Sequence, residues 1–184
     1  MQREPQTYAG LLLRSFILGG VMRRLTQPGE HVGLLLPNTV ALAVSFLALQ
    51  YLGRVPAMLN ITAGAQGLQR ACSTGNVKRV FTSRAFVEKA GFEDLIAALA
   101  EHVDVIYLED LRAGIGLREK LIALLRTRFP VSHYRRQIAD TDPDSPAVIL
   151  FTSGSEGTPR AWCCRTAICV GLRPGTLLYR FPAH

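Results

Sequence analysis

Apolar and polar positions along the chain fall into two alternating periods. Between Tyr8 and Leu25, the residues Leu11, Leu12, Ser15, Leu18, Met22 and Leu25 recur near a helical repeat, with Arg14, Arg23 and Arg24 among them. The spacing predicts a helix that ends near Pro28-Gly29. His31–Leu36 is instead short and continuously apolar before Pro37-Asn38, the pattern of a strand buried on both faces, and Thr39 to Leu52 reads as the helix that follows. The same unit recurs: Val55–Leu59, a Gly-rich connection and a helix; Arg79–Thr82, then a helix from Ala85 to Ala100; and Val103–Leu108. A helix over Leu117–Arg128 and a polar, turn-forming stretch from Ile138 to Pro146 lead to a last apolar strand, Ala147–Phe151. Strands alternating with helices predict an α/β fold, a largely parallel sheet with flanking helices.

The length suits one domain with a sizeable core, or part of one. Apolar residues make up 48%, charged residues 19% and aromatics 8%, a globular composition with no low-complexity tract or internal repeat. The formal charge of +7 raises nucleic acid as a partner, but the cations are scattered singly or in pairs without stacking aromatics, so no nucleic-acid partner is expected. Much of the excess belongs to residues 160–184, with four arginines and no acid; the first 159 residues, with 17 basic and 14 acidic, carry +3. The longest apolar stretch, Val32 to Leu52, is interrupted at Pro37-Asn38 and leaves about 14 residues where a membrane span needs ~20. The start, Met1-Gln2-Arg3-Glu4-Pro5, has no apolar segment before a cleavage site, and the expected location is cytoplasmic. Cys72 stands alone, and Cys163, Cys164 and Cys169 lack paired spacing or histidine partners, so neither a metal site nor a disulfide is expected.

The last strand opens directly into Thr152-Ser153-Gly154-Ser155-Glu156-Gly157-Thr158-Pro159-Arg160. Glycines let a backbone approach closely and point successive N–H groups at an anion, and Thr152, Ser153 and Ser155 add hydroxyl donors. Phosphate is the natural ligand of such a turn, although a Ser/Gly/Thr turn after a strand is more often a plain surface loop. Only two residues separate Gly154 from Gly157, and no Lys-Ser/Thr follows, which excludes the GxxxxGK[ST] phosphate loop.

The segment resembles the signature loop of the adenylate-forming superfamily of acyl-CoA synthetases, luciferases and peptide-synthetase adenylation domains: a strand, then Thr-Ser-Gly-Ser/Thr-x-Gly-x-Pro-Lys/Arg. Glu156, where most of the superfamily has threonine, narrows the likeness to the acyl-acyl-carrier-protein synthetase module of bifunctional 2-acylglycerophosphoethanolamine acyltransferases. Gly33–Asn38, Arg54–Gly64, Phe81–Arg84 and Tyr107–Leu111 resemble that module in sequence and order, over roughly residues 7 to 160. The resemblance implies the incomplete N-terminal part of an adenylate-forming domain over residues 1–160. It implies ATP and Mg²⁺ as cofactors, with Thr152, Ser153, Gly154, Ser155, Glu156, Gly157, Thr158, Pro159 and Arg160 at the nucleotide. Glu156 fits least well there, since an anion beside phosphates needs a cation or a turned-away side chain. A fatty acid would attack the α-phosphorus to give acyl-AMP, then pass to the thiol of acyl-carrier protein or coenzyme A. The resemblance also implies membrane association only through a fused domain absent from this chain, with the intact family protein at the inner membrane face. No catalytic residue is assigned, because the remainder of the pocket and the catalytic lysine lie in the part of the family domain beyond the loop.

After Arg160 the family continues with Gly-Val-Val-Leu-Ser-His-Arg-Asn-Leu, whereas this chain reads Ala161-Trp162-Cys163-Cys164-Arg165-Thr166-Ala167-Ile168-Cys169. Trp162 is TGG and Cys163 TGY, so starting one base back forces GTG, valine; the same shift forces Leu across Cys163-Cys164 and Leu or Met across Ile168-Cys169. The intervening codons permit the rest of the family sequence. Residues 161–184 are therefore expected to be an out-of-frame tail created by one lost base at codon 160, where the ancestral residue is Lys or Arg. Two other classes stay open: a stand-alone nucleotide-binding module, and a basic interaction protein acting through its Arg-rich tail.

His31 and His133 have no nearby nucleophile in sequence and read as structural or surface residues. Asn60 and Arg84 follow strand ends, where α/β sites gather, but Asn and Arg also cap turns there.

Overall fold

Residues 7–128, 145–152, 160–165 and 179–180 are described by a computed structural model. Helix α1 (Tyr8–Leu25) starts where the Thr7 hydroxyl accepts the Gly10 N–H and ends at Thr26, whose N–H returns to the Met22 carbonyl. Strand β1 (His31–Leu34) then enters the sheet, followed by α2 (Val40–Tyr51), β2 (Val55–Met58), a short 3-10 turn (Ile61–Ala63), α3 (Gly64–Thr74) and β3 (Arg79–Thr82). Next come α4 (Arg84–Ala90), α5 (Glu93–Ala100), β4 (Asp104–Tyr107), α6 (Leu108–Ala113), α7 (Leu117–Arg128), β5 (Pro146–Thr152), β6 (Arg160–Arg165) and β7 (Tyr179–Arg180).

The strands lie in the order β4-β3-β1-β2-β5-β6-β7. The first five are parallel, and β6 and β7 add antiparallel at one edge. The largely parallel α/β sheet expected from the alternation is thus present. Right-handed crossovers sort the helices by direction of travel. The connections through α2 and through α6 and α7 run towards β5, and those through α3 and through α4 and α5 run towards β4, which puts the two sets on opposite faces. The two cores match: Leu68, Cys72, Val87, Ile96 and Leu99 pack with Val80 and Ile149 on one face, and Phe16, Met22, Ala48, Leu49, Leu111 and Ala123 with Val32, Leu34 and Phe81 on the other.

Local chemistry explains the closest contacts. A Cβ on Gly33 would lie 2.8 Å from Leu59 Cδ1 and 2.9 Å from Val80 Cγ2, so any larger residue would have to push these side chains aside where β1 seats. Pro56 sits inside a strand because Val55 donates to the Glu30 carbonyl just before β1 and Leu59 to Leu34 within it, leaving the missing N–H on the β5 side, where pairing begins one residue later at Ala57↔Ile149. At the crossing of α1 and α2, Gly19 packs against Ala48 and Tyr51, and the Phe16 and Tyr51 rings meet edge to face at 4.8 Å.

Two expectations are corrected, and one strand is added. The helix anticipated over residues 85–100 is two helices, because Gly91 takes a left-handed φ of 66° and the Phe92 N–H returns to the Val87 carbonyl. The strand anticipated to Leu108 stops at Tyr107, and α6 follows with Glu109 and Asp110 in its first turn. Residues 160–165, which show no strand period, pair along β5: a backbone ladder against an apolar strand needs no alternation of its own. The polar stretch from Ile138 lies outside the described residues up to 144, as do His133 and Cys169.

Candidate functional site

In a parallel sheet every C-terminal strand end lies along one edge. Here that edge gathers Leu35–Pro37 after β1, Leu59 and Asn60 after β2, Ser83 and Arg84 after β3, Leu108 and Glu109 after β4, and the end of β5 at Thr152. The chain leaves β1 for one face and β2 and β3 for the other, which opens crevices between these strand ends, the usual place for a ligand in an open α/β sheet.

The two ends of the segment singled out by sequence, Thr152 and Arg160, meet at this edge. Thr152 pairs with Arg160 across the antiparallel β5–β6 ladder, so both ends of the 152–160 segment are pinned together there. Residues 153–159 lie outside the described residues, as do the side chains of Thr152 and Arg160.

The described part of the edge is ordered by charge and hydrogen bonding. Glu109 accepts the Ser83 hydroxyl on Oε1 (2.7 Å) and the Arg84 backbone N–H on Oε2 (3.1 Å), which ties the end of β4 to the start of α4. Burial alone would raise this carboxyl; the hydrogen bonds from Ser83, Arg84 and Ala85 outweigh it and hold Glu109 below the ordinary carboxylate range. Arg84 places its guanidinium 4.3 Å from the Tyr107 ring centre and 2.6 Å from Asp110 Oδ2. Thr82 spans to the next strand by donating to the Leu35 carbonyl (2.9 Å). Asn60 caps the 3-10 turn, accepting from the Thr62 N–H and hydroxyl. The two strand-end residues flagged by sequence, Asn60 and Arg84, are thus engaged in holding the edge. His31 is at the opposite edge, its Nδ1 on the Gly75 carbonyl at 2.6 Å.

Beside this edge a cleft of about 790 Å³ opens among α1, α2, α6 and α7, lined by Ile17, Val44, Ser45, Ser83, Glu109 and Lys120, among others. The Ser45 hydroxyl at its base is the one buried side-chain polar atom without a hydrogen bond among the described residues. Sequence reasoning missed Ser83 and Glu109. Their pairing depends on β3 lying next to β4, and the acidic first turn of α6 is the signal that was there to be found.

Comparison with known proteins bears on the family and the fold. Residues 2–166 match the family model of the AMP-binding enzymes. Among solved structures, VinN in complex with 3-methylaspartate superposes with a TM-score of 0.63 at 20% identity, over 87% of this chain and 40% of that one. A fatty acyl CoA synthetase of Mycobacterium tuberculosis gives 0.59 at 21% identity, over 88% and 29%. The fatty acyl-adenylate ligase from L. pneumophila, in complex with acyl adenylate and pyrophosphate, gives 0.63 at 19% identity, over 93% and 27%. The chain therefore spans well under half the length of each of these proteins, and at such identities the likeness is one of fold.

Proposed function

The chain belongs to the AMP-binding enzyme family, and from that premise we propose that it is the front part of an ATP-dependent, AMP-forming acid–thiol ligase. The observation that carries the proposal is the β5–β6 pair, in which Thr152 faces Arg160 at the C-terminal edge of a parallel sheet, with Ser153-Gly154-Ser155-Glu156-Gly157-Thr158-Pro159 between them in sequence. The chemistry of the segment fits a polyphosphate: two glycines for close backbone approach, hydroxyls on Thr152, Ser153, Ser155 and Thr158, and the cation of Arg160. Those residues would bind and orient the phosphates, and Mg²⁺, carried with the nucleotide, would neutralise part of their charge. Positioning is the main service that such a loop can give to phosphorus chemistry.

The substrate proposed is a fatty acid and the acceptor the thiol of acyl-carrier protein or coenzyme A, on the likeness of residues 7–160 to acyl-acyl-carrier-protein synthetase modules. Residues 1–160 are the family segment and 161–184 the out-of-frame tail. The 184-residue polypeptide alone is proposed to be inactive, since it spans 27 to 40% of the adenylate-forming proteins it superposes on.

The test is to sequence the coding DNA past codon 184, restore the frame at codon 160, and assay fatty-acid-dependent exchange of pyrophosphate into ATP. The frame-restored product should exchange, the Ser153→Ala/Ser155→Ala variant should lose at least about tenfold, and the present chain should not exchange. A neighbouring frame closed by early stops would overturn the tail assignment. Exchange unaffected by the serine substitutions would overturn the role of the turn.

A further inference from the structure

Helix α7 turns its leucines outward. Leu117, Leu121, Leu124 and Leu125 are 74%, 55%, 60% and 73% exposed, whereas Ala123 is 1% exposed and packs in the core with α1 and α2 residues. At about 100° per residue, the four leucines fall within an arc of roughly 100°, opposite the buried side. The exposed Arg118 and Lys120 stand at the two margins of that arc.

The neighbouring surface is basic as well. Helix α1 has no acid and carries Arg14, Arg23 and Arg24, all exposed; α7 adds Arg118 and Lys120, exposed, and Arg126, half-buried. Arg23 and Arg126 both act on the Tyr51 phenol, so the basic ends of the two helices adjoin.

We propose that the exposed face of α7, with the adjoining basic end of α1, docks on an anionic lipid bilayer surface. The geometry suits an interfacial helix: an apolar arc enters the acyl boundary while flanking cations extend their stems along it and place their charges at the headgroups. Among the described residues no helix is long and apolar enough to cross a membrane, and at 12 residues α7 is about 18 Å long, so the helix lies in the surface. This surface belongs to the chain itself, whereas the sequence pointed to a membrane only through a separate fused domain. The inference is independent of the ligase proposal.

The test is co-sedimentation of the full chain with vesicles of phosphatidylcholine alone or mixed equally with phosphatidylglycerol, with folding of each variant checked by circular dichroism. The chain should sediment with the anionic vesicles only, and partition should fall by roughly tenfold between low salt and 0.5 M salt. Arg118→Gln/Lys120→Gln should lower partition about 25-fold, at about fivefold per cation, and Leu121→Gln/Leu125→Gln at least about tenfold. Equal binding to neutral vesicles would overturn the proposal, as would folded α7 variants that bind like the parent. So would loss of binding in Arg165→Gln/Arg173→Gln/Arg180→Gln while both α7 variants still bind, since that assigns the surface to the tail. A chain that ignores vesicles but self-associates, and becomes monomeric on Leu121→Gln/Leu125→Gln, would identify the face as a contact between copies.

Discussion

Replacing Arg54 by methionine should destabilise the fold by about 2–4 kcal/mol. Arg54 is 5% exposed, and its guanidinium sits where two helices end. Its Nε donates to the Thr26 hydroxyl (3.0 Å), Nη2 to the Thr26 carbonyl (2.5 Å) and Nη1 to the Leu52 carbonyl. Thr26 caps α1 and Leu52 caps α2, so one cation meets the negative ends of both. Its loss leaves the carbonyls of two buried residues without that partner, at roughly 1–3 kcal/mol each, and removes a helix-end charge interaction of about 1 kcal/mol. Against this stands the cost of burying a cation, several kcal/mol; it shows in the Arg54 pKa, lowered chiefly by desolvation, with Glu30 opposing and Arg23 adding to the shift. Arg54→Lys keeps the charge without the planar fork and should lose about half as much. Urea unfolding followed by far-ultraviolet circular dichroism would measure both, and a cycle with Thr26→Val would isolate the pair. If Arg54→Met is within about 0.5 kcal/mol of the parent, desolvation cancels the hydrogen bonds and the clamp contributes no net stability.

Gly33→Ala forces a methyl to within 2.8 Å of Leu59 Cδ1 and should cost about 1–3 kcal/mol in the same unfolding assay; a neutral result would mean that β1 and its neighbours shift freely. Because the folded carboxyl of Glu109 is depressed, its contribution should be complete above the ordinary glutamate range, near pH 4.3, and be lost as pH falls through the folded value. Glu109→Gln should therefore flatten the acid limb of stability against pH, and an unchanged limb would assign acid sensitivity elsewhere. Burial pushes the Cys72 thiol up to about 11, so its protection is fully present below the unfolded value of about 8.5 and is lost as pH rises towards the folded one. In a Cys163→Ser/Cys164→Ser/Cys169→Ser background, Cys72 should react with a thiol reagent at pH 8 only on unfolding, and rapid native labelling would contradict its burial.

What the sequence reveals and what it hides follow one physical division. Elements whose signals are local were legible: α1 over Tyr8–Leu25, β3 over Arg79–Thr82, and α7 over Leu117–Arg128 all match their spacing. The break at Gly91 was also written locally, as a glycine past a helical turn, but the apolar period that begins at Phe86 and Val87 resumes at Leu95, Ile96 and Leu99 and masked the stop. Contacts across the sheet were not legible. Arg54 meets a cap 28 residues back, and Ser83 meets a carboxylate 26 residues on, because strand order rather than sequence distance brings them together. The location of the candidate site lies between these cases. Parallel strands put their C-terminal ends on one edge, so the alternation alone puts Thr152, at the end of β5, on the same edge as Asn60, Ser83 and Glu109, with Asn60 following the neighbouring strand β2. That edge is built from backbone order, and it tolerates a change of sequence as abrupt as the one after Arg160: β6 needs only N–H and C=O groups to pair with β5. Strand pairing at residues 160–165 is therefore compatible with either reading frame, and the base sequence at codon 160, rather than the fold, decides between them.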